Sequence, residues 1–305
     1  MSWIPGVDPT KDGGACPDAV DMVIVPRTAD LGNFEVRRVL PFRNKRMVGP
    51  FIFWDEMGPG EFLTGEGIDV LPHPHIGLST VTFLTQGTLE HRDSVGSHQV
   101  IEPGAVNLMR AGQGIVHSER TGATVRENAS KLAGIQCWLA SPEATEDAEP
   151  SFHHTPQAEL PSLSAEGAHV RVILGEAYGL RSPVELDWST VYVDVELEAG
   201  AKLPITAEYE ERAIYVIDGS LAVEGVDYST QRMLVLKPGH DMTLTARTHC
   251  RFMILGGAVM DGPRYIYWNF VASSRERIEE AKERWREQRF PEVPGDDEEF
   301  TPLPE

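Results

Sequence analysis

The sequence repeats itself, and a repeat about one domain long restricts the chain to two copies of a single folding unit. The turn in FLTQGTL around Gly87 returns in YVIDGSL around Gly219, and VIEPG ending at Gly104 returns in VLKPG ending at Gly239, at offsets of 132 and 135 residues. Within each copy the pattern is short apolar or alternating runs, such as FEVRRVL, LSTVTFL and GIQCWLA in the first and HVRVILG, VYVDVEL and RFMILGG in the second. Gly, Pro, Asp and Asn break these runs every few residues, which describes strands of an antiparallel sandwich or barrel. The expected organisation is a first β domain over 1–145, a Pro- and Glu-rich linker over 146–165, and a second β domain over 166–305. One helix is predicted over 273–290, opened by a capping box of Ser273 with Glu276 and stopped by Pro291, with a narrow apolar stripe of Ile278, Ala281 and Trp285. The tail after it, PEVPGDDEEFTPLPE, has little aliphatic density and is expected to be poorly ordered.

The segment LPHPHIGLSTV sets His73 and His75 two residues apart. In an extended strand such residues share a face about 7 Å apart, so both imidazoles can turn to one atom. The same spacing also fits two histidines on an exposed edge strand. A second pair, His117 and Glu119, follows in MRAGQGIVHSER, and two strands that each bury an ionisable pair need a common partner for them. His73, His75, His117 and Glu119 are therefore candidate ligands of a transition metal; three imidazoles with one carboxylate suit Fe, Mn, Co, Ni, Cu or Zn better than Ca or Mg. Pro74 cannot donate to a sheet ladder, which places the motif at a strand start or edge, near a barrel mouth. The 132-residue offset carries His73 to Ile205 and His75 to Ala207, so the second copy is expected to hold no metal. His91 and His98 lie in a turn-like stretch and read as solvated or turn-bonded; Phe53, Phe83 and Met109 are candidates to line a pocket.

With 27 basic and 47 acidic residues the net charge is −20, which disfavours direct nucleic-acid binding but not a protein partner. Cys16, Cys137 and Cys250 are scattered and form no CxxC pair, so neither a disulfide framework nor a thiolate zinc site is expected. The opening MSWIPGVDPTKDGG lacks a signal-peptide pattern and no apolar run reaches membrane-span length, so the expectation is a soluble cytoplasmic protein.

The duplicated β unit, HPH with H-x-E, MRAGQGIVHSE and the late WNFVASSRERIEEAKERW together resemble the pirin family of the cupin superfamily, from about Val36 to Arg286. That resemblance implies an all-β chain of two tandem jelly-roll cupin domains with a C-terminal surface helix. It also implies a mononuclear non-haem Fe(II) on His73, His75, His117 and Glu119, and no metal in the second cupin. Many members read HPHRGFET, where this chain has Ile76 and Ser79, so any role of that Arg and Glu is absent here. Quercetin 2,3-dioxygenase-like members imply oxidation of a small aromatic flavonol with O2, with Glu119 as base for its 3-hydroxyl. Other members imply a redox-sensing regulator that binds a transcription factor or a metabolic enzyme without catalysis.

Overall fold

The computed structural model describes residues 17–30 and 34–304, so Cys16 and the opening segment lie outside the described residues. The chain divides into two compact units, each interrupted in sequence. One comprises Thr28–Pro41, Pro50–Glu159 and Met260–Glu305; the other comprises Leu160–Val259 with Phe42–Gly49 and the described part of the segment ending at Arg27. This corrects the boundaries at 145 and 166. The strand Val20–Ile24 is recruited by pairing Val23 with Leu234, and the C-terminal helix packs into the first unit rather than the second. Pairing between residues so far apart leaves no mark on local periodicity.

Each unit is built on a seven-stranded and a four-stranded antiparallel sheet, with a two-stranded ribbon besides. In the first, the large sheet runs Ser151–Thr155, Val106–Arg110, Leu78–Gln86, Ser130–Ala140, Phe51–Phe62, Glu35–Leu40, Arg27–Asp30; the small one runs Asp69–His75, Ile115–Arg120, Leu89–Asp93, His98–Ile101. The second unit repeats the plan, its small sheet running Lys202–Ile205, Met242–Ala246, Ser220–Val223, Val226–Ser229. In both, inward alternate residues of the two sheets form the core. Leu84, Leu132 and Met57 meet Leu89 and Ile101 in the first, and Val193, Ile214 and Phe252 meet Leu203, Leu221 and Leu244 in the second. The repeat is real, but one of its two anchors is not: Gly104 ends the turn before Val106–Arg110, whereas Gly239 follows Arg232–Leu236, the counterpart of that strand. A Pro-Gly turn suits many strand junctions, so the match arose from turn chemistry rather than position.

The expected linker is built into the sheets. Ser151–Thr155 pairs with Val106–Arg110, and Ser162–Ala165 pairs with Ala168–Leu174. Backbone pairing supplied what its sparse aliphatics did not advertise. Gly77, directly after the HPH segment and Ile76, has φ +63°, and a Cβ there would meet the Val271 carbonyl oxygen at 2.1 Å, so only glycine fits this turn.

The helix is Arg275–Arg286, and its cap is Ser274, whose side chain accepts from Arg277 N at 3.4 Å. Ser273 is not the cap: its hydroxyl and backbone N–H both bind the buried Glu146 carboxylate, and with Arg277 three residues after Ser274 a simple N-cap replaces the predicted capping box. Ile278, Ala281 and Trp285 pack against Ile76, Val116 and Phe270, together with Phe290 and Val293 of the tail. Nor is the tail loose. Thr301 N donates to the Pro72 carbonyl at 2.8 Å, the Trp285 indole donates to Thr301 O at 3.1 Å, and Arg120 forms a two-pronged pair with Asp296 at 2.7 and 2.8 Å. Charge pairing and edge hydrogen bonds hold it where hydrophobic content alone predicted disorder. No helix among the described residues is long and apolar enough to cross a membrane.

The hydrogen bonds from Arg120 hold the Asp296 carboxyl below the usual carboxylate range, against the opposing effect of burial. Its folded value lies below its unfolded one, so this pair contributes stability at neutral pH and loses it as pH falls from about 4 through the folded value. Asp296→Asn should reproduce that loss at neutral pH, releasing residues 291–304 to limited proteolysis while the β units stay intact.

Candidate metal centre

Strand alternation decides which side chains meet. Along Asp69–His75 the residues His73 and His75 share the inward face, and across the ladder His73 lies directly opposite His117. The register slips between His117 and Glu119, where Glu119 faces Val70 rather than Leu71. This bulge re-aims the second pair of the motif. The ring centroids of His73 and His117 are 4.3 Å apart, those of His75 lie 5.0 Å from each, and His75 Nε2 stands 3.1 Å from His117 Nε2. His75 and His117 are 1% exposed, His73 is 8% and Glu119 5%.

Backbone carbonyls fix the tautomers. His73 Nδ1 lies 2.9 Å from Leu71 O and His75 Nδ1 lies 3.0 Å from Asn269 O. A carbonyl only accepts, so in both rings Nδ1 carries the proton and Nε2 presents a bare lone pair. Burial pushes the pKa values of His75 and His117 well below the ordinary histidine value, reinforced by the neighbouring imidazoles. Burial lowers His73 as well, partly opposed by its Leu71 bond and the Glu119 charge. Neutral imidazoles with lone pairs converging in a dry site repel unless a cation lies among them, and neutral Nε2 is the form that ligates. The donor set thus fits a divalent transition metal.

The ligand atoms of His73, His75 and His117 lie within 4.8 Å of one another, and so do those of His91, His117 and Glu119. His117 is common to both groups, while the structure sets Glu119 in the second group and not in the first with His73 and His75. It also adds His91. The turn-bonded reading of that residue is corrected: His91 is 2% exposed, with Nε2 2.9 Å from Asp93 Oδ2 and its ring stacked on Phe152 at 4.3 Å. Burial by itself would raise the Asp93 carboxyl, but hydrogen bonds from His91 and Ser97 hold it below the usual range. The alternation Leu89, His91, Asp93 was a usable signal, since the apolar first member marks the inward face. His98, by contrast, is solvent-exposed beside Glu90.

Gln136 donates to Glu119 at 2.8 and 3.0 Å. Trp138 meets His75 edge-on at 5.2 Å and stacks on Phe53 at 4.0 Å and 12°. Of the pocket candidates, Phe53 therefore reaches the site through Trp138, while Phe83 and Met109 are buried in the large sheet. In the second unit Ile205 pairs with Met242 where His73 pairs with His117, and Leu244 pairs with Val223 where Glu119 pairs with His91. All four are core residues. The second copy has apolar side chains at the equivalent positions.

Replacing Gln136 by Leu should leave the Glu119 carboxylate buried without that donor and destabilise the protein by about 1–3 kcal/mol in denaturant unfolding.

The chain matches the Pirin family model over residues 33–139 and the model for the Pirin C-terminal cupin domain over residues 192–291. It is 48% identical to a pirin-like protein of Caulobacter vibrioides, over 94% of this chain and all of that one. It is 32% identical to rat pirin, over 81% of this chain and 84% of that one. A crystal structure of quercetin 2,3-dioxygenase from Acinetobacter baumannii superposes with a TM-score of 0.86 at 34% identity, covering 93% of this chain and 95% of that one.

Proposed function

The chain belongs to the pirin family, and on that footing we propose that it is a metal-dependent dioxygenase that opens the ring of a flavonol such as quercetin with O2. The observation that carries the reading is the 3.1 Å approach of two buried imidazole Nε2 atoms, one of them bare by the demand of the Asn269 carbonyl. His73, His75, His117 and Glu119 would hold the ion, with Fe(II) the first choice among Fe, Mn, Co, Ni, Cu and Zn. When bound, the ion supplies the redox chemistry with dioxygen that no side chain here provides.

The chain's own contribution is positional. Glu119 is the base for the flavonol 3-hydroxyl, and Gln136 fixes its carboxylate so that the proton has a defined destination. Trp138, backed by Phe53, presents an aromatic flank beside His75. Among the described residues Cys137 and Cys250 are free thiols, which fits a reducing cytoplasm, where iron stays ferrous.

One observation favours the regulatory alternative. His75 is bonded to Asn269 O, and Ile76 next to it pairs with Phe270 and packs on the C-terminal helix, so a change at the ion has a packed route to the surface. That route would suit a redox sensor with a protein partner.

Anaerobic reconstitution with Fe(II), followed by oxygen uptake and loss of flavonol absorbance, decides between them. Turnover by the wild type that falls to the level of free iron in His117→Ala is the expected result. Stoichiometric metal binding with no flavonol consumed would overturn the dioxygenase reading and turn the search to protein partners.

A further inference from the structure

We infer that His91 and Asp93 are positioning residues for the metal ligand His117, forming a buried Asp–His–His chain that fixes its tautomer and strengthens its donor atom. The inference rests on the metal-site reading above. It follows from counting protons. His117 turns Nε2 toward His75 Nε2, so when that lone pair serves a cation its proton sits on Nδ1. His117 Nδ1 lies 3.4 Å from His91 Nδ1, which must then be the acceptor. The one proton of neutral His91 is thereby placed on Nε2, 2.9 Å from Asp93 Oδ2, and a carboxylate accepts it.

Each member is held from outside the chain. Asp93 is 0% exposed, and its second oxygen accepts from Val95 N at 3.1 Å and Ser97 N at 2.9 Å, so the carboxylate cannot rotate away. Phe152 stacks on the His91 ring, interplanar angle 14°, and fixes its plane. Pairing Asp93 directly across from His117 and His91 across from Glu119 puts the whole chain on one register of the ladder. A carboxylate at the far end polarises both rings and makes Nε2 of His117 a better donor. Outer partners of this kind are worth roughly 10–100-fold in metal affinity.

The test uses the full-length apo protein and Co(II), with affinity from chelator competition and the visible ligand-field band as a second readout. Asp93→Asn turns an amide N–H toward His91 and imposes the wrong tautomer; His91→Phe keeps the stack on Phe152 but removes the acceptor; His91→Asn returns an acceptor oxygen near the Nδ1 position. The first two should weaken Co(II) binding about 10–100-fold and shift the band, and His91→Asn should recover most of the affinity. If Asp93→Asn does not fold, having lost the geometry of its turn, the His91 pair carries the test. Folded His91→Phe and Asp93→Asn with wild-type affinity and spectrum would overturn the inference while leaving the metal site standing. Loss in His91→Phe as complete as in His117→Ala would make His91 a ligand instead, which also overturns it. A wild type that does not bind Co(II), or binds it equally in His117→Ala, overturns the metal-site reading and this inference with it.

Discussion

The structure turns on one cross-strand pair, His73 opposite His117 in an antiparallel ladder. Once these two face each other inside a closed β unit, their burial forbids charge, and their outer nitrogens must find acceptors. Leu71 O serves the first directly; Asn269 O does the same for His75. The bulge that follows, the Gln136 clamp on Glu119 and the Trp138 flank then arrange the remaining groups around lone pairs already committed. Desolvation of several polar groups costs more than the sheet alone would repay, and a bound cation is the physical means of recovering that cost.

The second unit provides an internal control. It keeps the sheet order and the core between sheets, yet has Ile205, Met242, Leu244 and Val223 at the corresponding positions. The fold thus does not require the polar cluster. Apolar side chains at those four points form a continuous core, which is the less costly solution, so the first unit's polar set is maintained for what it can bind.

Period-two patterning makes the two site pairs legible from residue order alone, because i and i+2 residues on a strand share a face whatever the tertiary fold. His73, His75, His117 and Glu119 and the loss of His73 at Ile205 are all readable that way. His91 carries the same signal but sits among Arg92, Ser94 and Gly96, whose turn character masks the inward Leu89–His91–Asp93 face. Trp138 and Asn269 have no local mark, since their relevance comes from strands paired across the sheet and from the C-terminal segment. The cap at Ser274 differs by one residue because Ser273 finds a stronger partner in Glu146. Likewise the tail looks dispensable by composition, and only the Asp296 pair and the edge carbonyls of Leu71 and Pro72 give it a place.

That tail has a meaning for how the protein is made. The strand Asp69–His75 lies at the edge of its sheet, and its outer carbonyls are covered by Thr301, close to the end of the chain. Asn269, which sets the tautomer of His75, also follows the whole of the second unit in sequence. At ribosomal rates of about 5–20 residues per second, the nascent histidines wait on the order of ten seconds or more, through translation of the entire second unit, before their supports exist. A metal site whose supports are Asn269 and Thr301 is assembled only after the second unit has been translated, so a nascent chain that has not reached these residues carries the ligands without the means to orient them.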